Sequence, residues 1–381
     1  MNFDLDDEHI ALRDAVSPAA TALDDRLRFG AAHQASASLS IDPAGTAWGL
    51  AVATMLAVIF RVARARFEAG GLRRTTRAIA WIGVVLAATV FVQRYTSPHL
   101  IYGFWAPITR TANPTPFGPF VNRNDLATWL LLATPLVIGY AVGRTVMLAR
   151  GRSRLRSLDE IVDGRAVLLG GAVLLMIATL VSSLSRSGLA GMLAALAVFT
   201  LLARARLGAR GSRWLAVLCV LVLGLALPFT NVAAMAVRFG DTLPGDVGGR
   251  VAIWQDSWQM ARAFITTGVG AGAFERGMLI YQQGPRTLFF NHAHNEYLQT
   301  LAEGGLLVGI PAATLAVLVF ATALRRLRHD EAAVYWFRLG AIASLTGVAV
   351  QSVWDTGLRM PANAVLFALV AAIAVHRARR D

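Results

Sequence analysis

Residues 166–203 read AVLLGGAVLLMIATLVSSLSRSGLAGMLAALAVFTLLA, nearly continuous apolar sequence broken only at Ser183-Leu184-Ser185-Arg186-Ser187-Gly188. A hydrocarbon core of about 30 Å is crossed by about 20 mostly apolar helical residues. The stretch therefore reads as two membrane spans joined by a tight hairpin at one membrane face. The same criterion applied outward gives nine candidate spans, at about 48–62, 78–93, 125–146, 166–184, 187–203, 214–230, 305–324, 335–353 and 361–376. The composition agrees: 56% of the 381 residues are hydrophobic, 15% are charged and the mean hydropathy is +0.54. The fold class expected is all-α, a polytopic transmembrane helical bundle with a large external loop containing short helices. Its divisions are a polar acidic tail over 1–46, six spans over 47–230, the loop over 231–304, and three spans with the C-terminus over 305–381.

A formal net charge of +13 raises the question of a nucleic-acid partner, which the placement of charge answers. Nine spans put the connecting segments alternately on two sides. Residues 61–77, 144–165, 204–213, 325–338 and 376–381 fall on one side and hold 23 arginines and 7 acids; the remainder holds 13 arginines and 16 acids. Cytoplasmic segments carry the excess of basic residues, so the basicity is a topology signal and nucleic acid is not an expected partner. The C-terminus is then cytoplasmic, and residues 94–124, Ser185–Gly188 and 231–304 face the exterior. The single cysteine, Cys219, excludes a disulfide framework and a cysteine-rich metal site. Residues 1–46 carry eight acids, with no long apolar run and no signal-peptide pattern. The charge count places them outside, which suggests a displaced start or upstream helices missing from the chain.

The long segment between the sixth and seventh spans is where chemistry is expected, because long loops in compact folds usually have a function. After the turn-rich Phe239–Asp246, Arg250 to Arg262 has helical spacing, with Arg250, Trp254, Ser257, Trp258 and Ala261 on one face. The tryptophans suit a helix at the lipid interface as well as a ligand platform. Arg250 can hold a phosphate oxygen pair through two parallel N–H donors, or form a salt bridge, or snorkel. Thr267-Gly268-Val269-Gly270-Ala271-Gly272 fails as a nucleotide loop, with no preceding strand and no P-loop lysine; its glycines suit tight turns or close backbone approach. The segment closes on Asn291-His292-Ala293-His294-Asn295-Glu296 and Glu303-Gly304-Gly305. A helix capped by Asn291 would turn His294, Tyr297, Leu298 and Leu301 inward and His292, Glu296, Gln299 and Glu303 toward water. An imidazole with nearby carboxylates suits general-base work or phosphate neutralisation. A structural histidine is the rival reading, and zinc is disfavoured because a helical i, i+2 pair points to different faces.

Four blocks, in order, resemble the O-antigen ligase and polymerase superfamily of bacterial membrane glycosyltransferases: Phe117 to Ala127, Ser183 to Gly188, Gly249 to Trp254, and His292 to Glu296 with Glu303 to Gly305. The likeness covers roughly residues 38 to 375. It implies a metal-independent glycosyltransferase of the GT-C type, without cofactor. Such an enzyme moves glycan from an undecaprenyl-diphosphate donor to an acceptor hydroxyl of lipid A-core or a similar lipid, glycan or protein at the periplasmic face. The resemblance assigns His294 as base and Arg250 and Arg186 to the diphosphate, with His292, Asn295, Glu296, Glu303, Asn122 and Asn124 in support. Arg186 can also be an ordinary turn residue, and Asn122 and Asn124 suit capping or loop ordering. Two departures stand out: the family has more spans than nine, the difference falling before residue 38, and the glycines after Glu303 are spaced more loosely than usual. Polymerase, protein O-oligosaccharyltransferase, polysaccharide transporter and inactive fragment are the alternatives. Transport is disfavoured by the absence of an internal repeat and of many ionisable groups within the spans.

Overall fold

The structure is a computed structural model that describes residues 40–97, 100, 102–105, 118–151, 163–226, 245–283 and 290–377. Residues 1–39 of the acidic stretch, Phe117 and residues 239–244 of the turn-rich stretch lie outside the described residues. What is described is helical, with no β-strand: α1 (Pro43–Glu68), α2 (Leu72–Thr96), α3 (Arg123–Gly151), α4 (Gly164–Ser182), α5 (Arg186–Ala226), α6 (Gly245–Ala263), α7 (Phe274–Tyr281), α8 (Glu296–Leu327), α9 (Ala332–Gln351) and α10 (Pro361–Val375). Seven of these are long and apolar enough to cross a membrane, and α10, at 15 residues, is a shorter apolar helix. The chain is a polytopic helical membrane protein.

The nine apolar runs fall on eight helices because α5 holds the fifth and sixth. Gly208 interrupts α5 with φ 69° and ψ 179°. Across it, the Ser212 hydroxyl donates to the Thr200 carbonyl at 2.7 Å. Twelve residues of straight helix would separate those groups by about 18 Å. The chain therefore reverses at Gly208, where glycine meets the positive φ without a Cβ clash, and α5 is two apolar segments. The first helix begins earlier than the hydropathy run suggests. Asp42 accepts the Gly45 N–H at 3.1 Å and Pro43 follows it, a side-chain cap with proline at the first helical position. Pro43 to Thr46, assigned to the tail on hydropathy, is thus the first turn of α1.

Two compact units divide the chain. The larger comprises Val52–Gly248, His294–Tyr297 and Pro311–Asp381. Its centre is α9, which packs against both α3 and α5. A Cβ on Gly139 would lie 2.3 Å from the Trp336 carbonyl oxygen, and one on Gly340 2.7 Å from the Pro135 oxygen. Gly191 and Gly347 oppose each other in the same way between α5 and α9. Ser344 donates to the Leu132 carbonyl at 2.8 Å across this seam. Small residues that let backbones touch are what membrane helices use to associate, since lipid removes the hydrophobic drive between them.

The arginine-rich segments that charge counting groups on one side also touch one another. Arg206 donates to the Asp330 carbonyl at 2.6 Å and lies over the Tyr335 ring. Arg338, fully buried, pairs with Asp330 and donates to the Ala374 carbonyl at 2.6 Å and the His376 carbonyl at 3.1 Å, closing the end of α10. The Arg377 N–H reaches Glu68 at 3.2 Å. Asp163 caps α4 through the Ala166 N–H at 2.9 Å and receives both guanidinium nitrogens of Arg144. Arg144 first, and the Ala166 N–H second, hold its carboxyl down at about 2.

The smaller unit comprises Gly249–Ala293 and Leu298–Ile310 with the described part of Met1–Ala51. Ile253, Met260, Ala261, Val269, Phe274, Met278 and Ala302 form its core.

The α3–α9 seam gives the first prediction. Gly139→Val, which cannot fit against the Trp336 carbonyl, is expected to destabilise the protein by about 1–3 kcal/mol or more, read as a lowered melting temperature in detergent. Gly170→Ala, where a Cβ meets nothing within 4 Å, is expected to leave it unchanged or raise it slightly.

Candidate functional site

In the larger unit the polar residues gather at one end of the bundle, and each is placed by a helix terminus. Asn122 caps α3: its side-chain oxygen accepts the Asn124 N–H at 2.9 Å and its carbonyl the Asp125 N–H at 3.1 Å. The Asn124 side chain then reaches the hairpin, accepting from the Ser185 hydroxyl at 2.7 Å. Ser185 also caps α5 by accepting the Gly188 N–H at 3.1 Å. Arg186, half-buried, is the first residue of α5. Gly188 lets the hairpin approach α3 closely, since a Cβ there would lie 2.6 Å from that of Ala127.

His294, Asn295 and Glu296 belong to the same end. The Glu296 N–H donates to the Ser352 carbonyl at 2.9 Å, and its carboxylate pairs with Arg359 at 3.3 Å. Gln351, at the end of α9, accepts from the Thr128 hydroxyl at 2.9 Å and donates to the Asn124 carbonyl at 3.1 Å. Asn363 donates to the carbonyls of Asp125 and Gly357 at 3.0 and 2.8 Å. Hydrogen bonds thus join the start of α3 to the α4–α5 hairpin and to the segment after α9, which in turn holds the start of α8. His294 is half-buried with φ 50°, a left-handed backbone for a residue with a Cβ. Leu184, two residues before Arg186, has φ 55°. Such conformations cost about 1–3 kcal/mol each and persist where surrounding structure over-determines them, commonly at functional sites.

The smaller unit holds Arg250, His292 and Glu303. Arg250 lies on the first turns of α6 and is half-buried. One turn on, the Trp254 indole N–H is buried with no acceptor among the described residues. The inward face of α6 is Ile253, Asp256, Ser257, Met260 and Ala261, whereas Trp258 is 47% exposed. This corrects the single face expected for Arg250, Trp254, Ser257, Trp258 and Ala261. The reason is α7, whose Gly277 packs against the Met260 sulfur and whose Met278 lies beside Ser257.

A second correction concerns the closing helix. It starts at Glu296, not near Asn291, and its buried face is Gln299, Ala302 and Glu303, while Tyr297 is 55% exposed. Gln299 is the cause. Its side-chain oxygen accepts the Ala293 N–H at 2.8 Å, which fixes the amide orientation because a backbone N–H can only donate. The amide nitrogen then faces His292 Nδ1 at 3.2 Å and Glu303 at 3.1 Å. His292 Nδ1 is therefore the acceptor and the neutral ring carries its proton on Nε2. His292 and Glu303 are held in this chain of bonds around Gln299.

The glycines around this helix do structural work of a definite kind. Gly305 breaks α8 with φ 56° and ψ −160°. A broken helix exposes carbonyls before the break and N–H groups after it. Loop residues satisfy both sets: Val269 and Gly270 donate to the carbonyls of Ala302 and Glu303 at 2.9 Å, and Leu306 and Leu307 donate to those of Ile265 and Thr266 at 2.8 and 3.0 Å. A Cβ on Gly268, whose φ is 68°, would fall 2.2 Å from the Glu303 carbonyl carbon. The close backbone approach expected of the Gly268-Val-Gly270-Ala-Gly272 stretch is what the structure contains.

Residues 171–313 match the O-antigen ligase family. Over that stretch, a little over a third of the chain, the sequence is similar to the O-antigen ligase family. The matched stretch takes in the hairpin with Arg186, the loop with Arg250, the His292–Glu296 turn and the break at Gly305. No curated protein matches the chain. Gln351, Arg359 and Asn363 lie beyond the matched stretch and were not singled out by sequence. A signal was available for Gln351, which with Ser352, Asp355 and Thr356 forms a polar cluster at the junction of two spans on the less basic side, but not for Arg359 or Asn363.

Gly305→Ala places a Cβ against the Thr266 carbonyl in a left-handed backbone. It is expected to lower the melting temperature and to open residues 265–270 to proteolysis, while Gly309→Ala, with only a distant Leu301 contact, is expected to do neither.

Proposed function

We propose that this chain transfers glycan from an undecaprenyl-diphosphate donor to an acceptor hydroxyl at the periplasmic face of the bacterial inner membrane. The match to the O-antigen ligase family over residues 171–313 supports a ligase- or polymerase-type enzyme; the donor, the acceptor class and the residue roles are part of this proposal. Ligation to lipid A-core or a related acceptor leads that reading. The observation that carries it is His294, half-buried in a left-handed turn on a hydrogen-bonded polar end shared with the Arg186 hairpin.

In the reaction the acceptor oxygen attacks the anomeric carbon, the bond from that carbon to the diphosphate oxygen breaks, and the acceptor proton passes to His294. Two demands follow, a base for the hydroxyl and cations for the departing diphosphate. The resemblance assigns Arg186 and Arg250 to the second. Trp254 adds a neutral N–H donor one turn from Arg250, and an N–H buried without an acceptor is one that a phosphate oxygen would satisfy. Glu296 keeps the turn in place through Ser352 and Arg359.

The test is glycan transfer in membranes supplied with lipid-linked glycan and candidate acceptors, at matched expression. His294→Gly keeps the positive φ and removes the imidazole. It is expected to lower turnover by about 10²–10⁴-fold with an unchanged melting temperature. Arg250→Ala is expected to lose about 10²–10³-fold, the range for removing one charge-stabilising donor. Wild-type rates in the folded His294→Gly protein would overturn the assignment of the base.

A further inference from the structure

We infer that the groove between α2, α3 and α4 is a binding site for an anionic phospholipid of the cytoplasmic leaflet, distinct from the residues assigned to the glycan donor. The groove encloses ≈ 560 Å³ and is lined by Arg77, Trp81, Tyr140, Arg165, Leu168 and Leu175 among others. That volume is in the range of sites that hold small organic molecules, about 300–1,000 Å³.

Its shape follows from one contact. Gly83 of α2 and Met176 of α4 meet so closely that a Cβ on the glycine would lie 2.8 Å from the sulfur. On the N-terminal side of that contact lie Arg77, Ala80 and Trp81 of α2 and Arg165, Leu168 and Leu175 of α4. Their side chains wall the groove. Trp81 and Leu168 are 62% and 63% exposed, an apolar wall open on its outer side to acyl chains.

The mouth is cationic. Arg77 and Arg165 stand there, each within the first two turns of its helix, so two helix N-termini add their partial positive charge. Asp163 is the acid beside Arg165, and its carboxylate is taken up by both guanidinium nitrogens of Arg144 and by the Ala166 N–H. Among the described residues no carboxylate lines the apolar cleft that Arg77 and Arg165 border; Asp163 is near enough to Arg165 to feel its charge but is hydrogen-bonded by Arg144. A basic pocket between membrane helices on the cytoplasmic side is the arrangement that binds anionic headgroups. A phosphodiester accepts from guanidinium donors while its chains lie along Trp81, Leu168 and Leu175. A zwitterionic lipid presents the same phosphate with an ammonium that opposes the arginines, and soluble phosphate gains nothing from the apolar wall. The leaflet rests on the topology given above, in which residues 61–77 and 144–165 are cytoplasmic.

The experiment is native mass spectrometry of the full-length chain in detergent, with phosphatidylglycerol, phosphatidylethanolamine or inorganic phosphate added, alongside melting temperatures. Wild type is expected to retain phosphatidylglycerol over phosphatidylethanolamine by roughly fivefold per arginine engaged and to ignore phosphate. Arg77→Ala with Arg165→Ala is expected to bring the two lipids to parity. Arg73→Ala with Arg74→Ala removes the same charge from α2 outside the groove and is expected to keep the preference. Equal retention of both lipids by wild type, or equal losses in the two double variants, would overturn the proposal. So would labelling of Arg77→Cys, in a Cys219→Ser background, from the periplasm of intact cells, which would also refute the topology while leaving glycan transfer to be judged by its own assay.

Discussion

The structure of the larger unit turns on backbone-to-backbone packing of α9. In lipid, apolar side chains gain little by leaving one apolar neighbour for another, so helices associate through close fit and polar bonds. Gly139 and Gly340 provide that fit against α3, and Gly191 and Gly347 against α5. Once α9 is seated, its terminal Gln351 lies between Thr128 and Asn124, and the segment after it reaches Asp125 and Glu296 through Asn363, Ser352 and Arg359. The polar end that carries His294 and Arg186 is assembled by contacts made deep in the apolar seam.

The smaller unit obeys a different constraint, that buried backbone groups must be paired. Breaking α8 at Gly305 frees backbone groups on both sides of the break, and residues 265–270 pair with four of them. Only glycine fits at positions 268 and 305, because a Cβ on Gly268 would fall 2.2 Å and one on Gly305 2.5 Å from facing backbone atoms, and both have positive φ. Gln299 then organises His292, Ala293 and Glu303 around one amide. What looks from composition like a flexible loop is defined by hydrogen bonds.

Much of this was legible in the sequence. Span positions followed from apolar length, and the grouping of arginine segments reappears as contacts between Arg206 and Asp330 and between Glu68 and Arg377. The hairpin at Ser183–Gly188 and the role of the glycines were readable because both rest on local chemistry. Faces were not. Trp258 turns outward and Gln299 inward because α7 and the backbone of Ala293 decide which side of each helix is covered, and neither influence is local. Helical periodicity assumes a helix start, and His294 with its left-handed backbone moves that start to Glu296. Arg359 and Asn363 were passed over because they pair with residues more than 60 positions away.

The functional account joins two findings, an O-antigen ligase match over residues 171–313 and a polar bundle end carrying a constrained histidine. Its central claim is that this chain breaks the bond between glycan and diphosphate, which a transporter or an inactive scaffold does not do. The most direct measurement is the lipid left behind. In vesicles containing the purified full-length chain, lipid-linked glycan and acceptor, mass spectrometry is expected to find one molecule of undecaprenyl diphosphate for each glycan joined to the acceptor. Donor that stays intact, with the folded chain present and acceptor in excess, would contradict the account.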